Sequence, residues 1–164
     1  MKISTKSGDH IYTSSITSRV PKDDSLIESL GTLDELQASL MLASHYVRRE
    51  GIRNDLHRLV QELFLLGQDL LQYEEVNHIT KENLKQIESN IDAYEQMLPD
   101  QTSFILPGNN LPGSYLHLAR TIARRLERRI ISLGRKQDIN PVIFAYINRI
   151  SDLLYIYART EEEL

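Results

Sequence analysis

The sequence predicts an all-α fold, an antiparallel five-helix bundle, on three observations. Apolar residues recur three and four apart along five separate stretches, the period of a helix with one buried face. Helix-start signals stand at three of them, Thr80 before the third, Ser114 before the fourth and Asn140 with Pro141 at the head of the fifth. No strand pattern competes with these helices, so a bundle follows.

Helix one starts at Asp24 or Ser25 and runs to about Arg48, with Leu26, Leu30, Leu33, Leu40, Met41 and Val47 on its core side. Asp34 lies one turn from Leu30, close enough to that stripe to face a partner. Helix two spans about Asn54 to Tyr73 and repeats Leu56, Leu59, Val60, Leu63, Leu66 and Leu70. Helix three follows Thr80 with Leu84, Ile87, Ile91, Tyr94 and Leu98, and Pro99 stops it. The segment holding Pro107, Gly108, Asn109, Asn110, Pro112 and Gly113 reads as a loop, after which Ser114 caps helix four. Leu116, Ala119, Ile122, Ala123, Leu126 and Ile130 form its buried stripe, and the helix ends near Gly134. Helix five has Ile143, Ile147, Ile150, Leu154 and Tyr157 inside, beside a polar row of Asn148, Asp152, Tyr155 and Arg159.

At 164 residues the chain suits one domain with a buried core. Residues 1–22 are expected to form a flexible N-terminal segment and residues 23–164 a single bundle domain. The first segment is rich in Ser and Thr, with Lys2, Lys6, Arg19 and Lys22, and has too few apolar residues to order itself. It reads either as a frayed tail or as a loop that wraps a phosphate chain. A formal charge of −4 argues against general nucleic-acid binding. The absence of cysteine removes disulfides, thiolate zinc sites and cysteine nucleophiles. The start, MKISTKSGDH, lacks the apolar core of a signal peptide, and no run is apolar enough to cross a membrane, so a cytoplasmic protein is expected.

The chemistry concentrates on helix four. His117, Arg120, Arg124, Glu127 and Arg128 share one face at helical spacing, flanked by Arg125 and Arg129. Five arginines within ten residues repel one another, and something acidic must offset that cost. Protein carboxylates such as Asp34 and Asp152 can do so, or a bound anion can. A triphosphate suits the second case, because several charge-assisted hydrogen bonds to many oxygens are required. The residues alone do not choose. Metal ligation has little support: the histidines are scattered, and Glu75 with His78 gives only one Glu-x-x-His where a di-iron bundle needs two. No phosphate-binding P-loop motif is present. His117 reads as a satisfied helix histidine, and Phe104 on its own as a core anchor at a loop edge.

Four blocks, taken in order, carry a resemblance. They are T-K-S-G-D at Thr5–Asp9 with R-V-x-K-D at Arg19–Asp23; G-x-x-D-E-L at Gly31–Leu36; F-I-L-P-G at Phe104–Gly108 with L-H-L-A-R-x-x-x-R-R-x-E-R at Leu116–Arg128; and Y-I-N-R-I-S-D at Tyr146–Asp152. Together they resemble the PduO-type ATP:cob(I)alamin adenosyltransferases over nearly the whole chain. The resemblance implies a homotrimer with a site at each subunit interface. It also implies a reaction in which Co(I) of a reduced corrinoid attacks the 5′ carbon of Mg²⁺-bound ATP and releases triphosphate, with a reductase as a possible electron-supplying partner. The cobalt is then the nucleophile, and the protein needs none of its own.

Carried over residue by residue, Thr5, Lys6, Gly8, Asp9, Thr13 and Lys22 would wrap ATP, and Arg124, Glu127, Arg128 and Asn148 would complete the nucleotide site. Phe104, Arg120, Arg124 and Asp34 would form the catalytic set. In it Arg120 pairs with Asp34 of a neighbouring subunit, and Phe104 lies beneath the corrin to exclude its lower axial base. The chain departs from the family pattern at Ile11, at Thr17-Ser18 and at Asn109, each where a glycine is usual, and at Leu26 and Gln37. Glycine losses restrict loops that take unusual dihedrals. They motivate two other readings: a non-catalytic corrinoid- or nucleotide-binding carrier or sensor, and a purely structural assembly module.

Overall fold

The computed structural model describes residue 9 and residues 11–14, 19–72 and 75–164. Among these, five helices carry the fold: α1 (Ser25–Ser44), α2 (Glu50–Leu71), α3 (Lys81–Glu95), α4 (Leu111–Leu133) and α5 (Pro141–Glu163). The all-α prediction holds. α5 packs against both α3 and α4, while α1 lies between α4 and α2. Leu36, Leu40, Leu56, Leu59, Leu63 and Leu66 of α1 and α2 are fully buried, as are Leu126 of α4 and Ile147, Ile150 and Leu154 of α5. Burying each such side chain contributes about 1.5–3 kcal/mol, which is why the apolar spacing dictates the bundle.

The helix starts follow local chemistry. Asp24 Oδ1 accepts the Leu26 amide at 2.8 Å and Asn140 Oδ1 accepts the Val142 amide at 3.1 Å, satisfying amides that no helical carbonyl can reach. The Thr80 amide donates to Asn83 Oδ1 at 2.9 Å, fixing the entry to α3. Helix four begins earlier than expected. Asn110, not Ser114, is its cap and accepts the Gly113 amide at 2.8 Å, so Pro112 and Gly113 fill the first turn. Proline is tolerated there because its missing amide has no helical partner in any case. Ser114 instead donates its hydroxyl to the Asn110 carbonyl at 2.7 Å.

The α1–α2 turn also differs from expectation: α1 stops at Ser44 rather than near Arg48, and α2 starts at Glu50 rather than Asn54. A tertiary partner imposes this, since the amides of Arg48 and Arg49 donate to the two oxygens of the buried Glu161 at 3.1 and 3.2 Å. A second departure is a ribbon in the N-terminal segment. β1 (Tyr12–Ser14) pairs antiparallel with β2 (Arg19–Pro21), placing Thr13 opposite Val20, and the Lys22 amide donates to the Ile11 carbonyl at 2.9 Å.

Between α2, α3 and α5 the interior is polar. The Asp55 carboxyl accepts from the Tyr157 hydroxyl, from Asn90 Nδ2 at 2.7 Å and from Arg58 Nε at 2.8 Å. Burial first, and the neighbouring Asp55 charge second, push the Tyr157 phenol far above its ordinary range, so it stays a donor. Such a network fixes the register of three helices.

Candidate active site

Helical geometry separates the arginines of α4, since successive residues point about 100° apart. Arg125 and Arg129 turn toward α1, where Arg125 pairs with Glu35 and Arg129 with Glu28; Arg129 Nη1 also donates to the Glu28 carbonyl at 3.0 Å. Within one chain these two arginines use Glu35 and Glu28 rather than Asp34 or Asp152. Asp34 is exposed on α1, and Asp152 lies 3.3 Å from Arg149. The five-arginine row is thus two sets rather than one.

Arg120 and Arg124 face the other way, into a cleft of about 470 Å³ bounded by Glu95, Gln101, Asp152 and Tyr155. A second cleft of about 400 Å³ shares Gln101, Arg120 and Tyr155 and adds Phe104, Ile105 and His117. Arg120 therefore stands at the junction. Its Cζ lies 6.0 Å from the Tyr155 ring centroid, and its buried Nε has no hydrogen-bond partner among the described residues. The Tyr155 hydroxyl donates to Gln101 Oε1 at 2.7 Å, holding the ring in place. Phe104 is 99 % exposed and Leu106 82 %, so Phe104 is no core anchor. The ring lines the second cleft and offers it apolar surface.

One turn beyond Arg124, Asn148 Nδ2 of α5 donates to Glu127 Oε1 of α4 at 3.0 Å, and Arg128 Nη1 donates to the Arg124 carbonyl at 3.1 Å. The structure thus gathers Phe104, Arg120 and Arg124 around adjoining clefts and locks Glu127 to Asn148 beside them. Of the expected N-terminal set, Thr5, Lys6 and Gly8 lie outside the described residues. Asp9 is exposed, Thr13 sits half-buried in β1, and Lys22 follows β2, exposed. Ile11 takes φ 59°, a left-handed conformation that L side chains resist. Asn109 does not, because the left-handed non-glycine positions among the described residues are Ile11 and Gln72.

His117 is a correction. It is a buried helix histidine, but not a satisfied one: among the described residues its ring nitrogens have no hydrogen-bond partner, and Nε2 lies 3.6 Å from Glu162 Oε2. Burial lowers its pKa most, the Glu162 charge opposes that, and Arg120 adds to it, leaving a neutral ring near pH 7. Sequence reasoning also missed Gln101, Glu162 and the site role of Tyr155. For Tyr155 a signal existed, its place between Asp152 and Arg159 on α5 at helical spacing. Gln101 and Glu162 had none.

The fold and the clefts together define a helical-bundle protein whose basic helix face opens into a cleft of mixed charge beside an exposed aromatic ring. Comparison narrows this further. The chain belongs to the cobalamin adenosyltransferase family, whose pattern matches residues 3–161. It is 38 % identical over 165 residues to a corrinoid adenosyltransferase of Bacillus subtilis, covering 97 % of this chain and 86 % of that protein. Two solved structures of a PduO-type adenosyltransferase from Lactobacillus reuteri superpose closely. A phenylalanine-to-alanine variant complexed with cobalamin and ATP gives a TM-score of 0.89 at 32 % identity, covering 98 % of this chain and 93 % of that one. An arginine-to-lysine variant complexed with ATP gives 0.91 at 33 %, covering 98 % and 94 %.

Proposed function

We propose that this chain transfers the 5′-deoxyadenosyl group of ATP to the Co(I) of a reduced corrinoid. The observation that carries the reading is the position of Arg120, which joins the cleft holding Arg124 to the one flanked by the exposed Phe104. The cobalt–carbon bond forms as the bond from the 5′ carbon to the triphosphate oxygen breaks. Charge accumulates on the departing triphosphate, where Arg124 and Arg128 act as preorganised donors. The protein's remaining task is to align the two substrates. Phe104 takes the lower face of the corrin, and Asp9, Thr13 and Lys22, with Thr5, Lys6 and Gly8, close over the nucleotide. Magnesium would enter as part of the ATP substrate, and Glu127, the sole carboxylate of α4, would be the residue of that helix able to hold it.

The site is completed in a homotrimer, with Arg120 of one subunit paired to Asp34 of the next. An exposed apolar stripe supports this. Leu42 and Tyr46 of α1 continue through the Tyr46–Tyr115 ring contact, at 4.8 Å between centroids, to Leu111 and Leu118 of α4. A cytoplasmic setting, where a reductase can supply the electron, fits the chemistry.

Incubating the protein with ATP, Mg²⁺ and chemically reduced cobalamin should yield the light-sensitive spectrum of adenosylcobalamin. No product, while a proven family member works alongside, would sink the reading. For the trimer, Arg120→Asp should dissociate the assembly in light scattering and Asp34→Arg in that background should restore it.

A further inference from the structure

The segment that carries Phe104 is held by the C-terminal part of α5, from Tyr155 onward. Arg159 Nη2 donates to the Pro99 carbonyl at 2.9 Å, the Tyr155 hydroxyl to Gln101 at 2.7 Å, and Asn110 Nδ2 to the Glu161 carbonyl at 2.7 Å. The firmest grip is at Glu162, whose side chain is 1 % exposed. Its Oε1 accepts the amides of Gly108 at 2.9 Å and Asn109 at 3.0 Å. Gly108 takes φ 99°, a left-handed turn that brings consecutive amides onto one acceptor. Gly113, in the first turn of α4, has no side chain because a Cβ there would overlap the Glu162 carboxyl. The other oxygen, Oε2, faces His117 Nε2 at 3.6 Å, one helical turn before Arg120.

A carboxylate in the last turn of a helix opposes the helix dipole, so this side chain does nothing for α5 itself. What it does is fasten the loop. We propose that Glu162 is the positioning residue that sets Phe104 against the corrin, tying the Phe104 loop to α5 and to the His117–Arg120 edge of α4. The inference rests on the reading that Phe104 faces a corrinoid.

The test compares wild type with Glu162→Ala and Glu162→Gln in two measurements. Residue-resolved hydrogen exchange without ligand reports the tether directly. In Glu162→Ala the Gly108 and Asn109 amides should exchange roughly tenfold faster, the effect of losing about one hydrogen bond, while the core of α5 stays protected. Steady-state turnover with reduced cobalamin and ATP reports the consequence. KM for the corrinoid should rise about tenfold in Glu162→Ala, with KM for ATP moving less than about twofold. Glutamine keeps an oxygen able to accept both amides, and should recover most of each loss. Unchanged exchange in the alanine variant would overturn the proposal. So would faster exchange with an unaltered corrinoid KM, a rise in both KM values together, or a glutamine variant no better than alanine. Should the wild type itself show no adenosyl transfer, the enzyme reading falls, and the exchange comparison alone decides whether the tether exists.

Discussion

Two kinds of arginine stand side by side on α4. Arg125 and Arg129, with side chains 40 % and 36 % exposed, answer α1 carboxylates, Glu35 and Glu28. Arg120 and Arg124 point into the cleft, and the buried Nε of Arg120 is left without a hydrogen bond among the described residues. A buried unpaired guanidinium nitrogen is costly, whereas a pair at the surface contributes little. The pairs with α1 thus neutralise a crowded helix while leaving its other edge available to a ligand. Of the two readings open at the level of the residues, pairing with protein carboxylates is seen for Arg125 and Arg129, and the anion reading is the one proposed for the cleft arginines.

Breaking this contrast at its strongest point should have the largest effect. Arg124→Ala should lower kcat by ~100-fold, the usual cost of one charge-stabilising donor, while Arg125→Ala keeps the rate within about twofold; stopped-flow formation of the adenosylated product checks both. Equal losses would erase the distinction. A smaller change concerns the N-terminal ribbon, proposed as part of the nucleotide wrap. Ile11 holds a left-handed backbone that costs an L-residue about 1–2 kcal/mol, so Ile11→Gly should lower KM for ATP by up to about tenfold. No change would mean that this turn is not part of the wrap.

The cleft edge should also announce itself through pH. Burial lowers the His117 pKa in the folded chain, so below the ordinary histidine value of about 6.5 the unfolded chain binds more protons than the folded one. Stability therefore rises with pH up to about 6.5 and is lost as pH falls beneath it. His117→Gln should flatten that decline in urea titrations between about pH 6.5 and 5. The smallest effect belongs to the α1 pairs. Arg125→Ala and Arg129→Ala should each destabilise by less than about 1 kcal/mol, and less still at high salt.

Much of this was legible without coordinates wherever the signal was local. Helical spacing found all five helices, and Asn140 with Pro141 marked the head of α5 correctly. The ribbon at β1 and β2 escaped because three-residue polar strands show no alternation to read. The start of α4 was misplaced because Pro112 and Gly113 carry turn signals; Gly113 is there for the Glu162 side chain packed on it, a reason 49 residues distant in sequence. Ile11 runs the other way. Its departure from a glycine pattern pointed to an unusual dihedral, and that is what the backbone shows.

By itself the sequence determined that five stretches are helical, which helix faces are apolar, and that a dense guanidinium set rides on one of them. These follow from near-neighbour spacing along the chain, which a helix converts directly into a face. Only the tertiary structure decided which of those guanidiniums meet α1 and which meet the cleft, that Phe104 lies in water, and that Glu162 reaches back to hold its loop. Those outcomes depend on which elements become neighbours in space, and no local spacing encodes that.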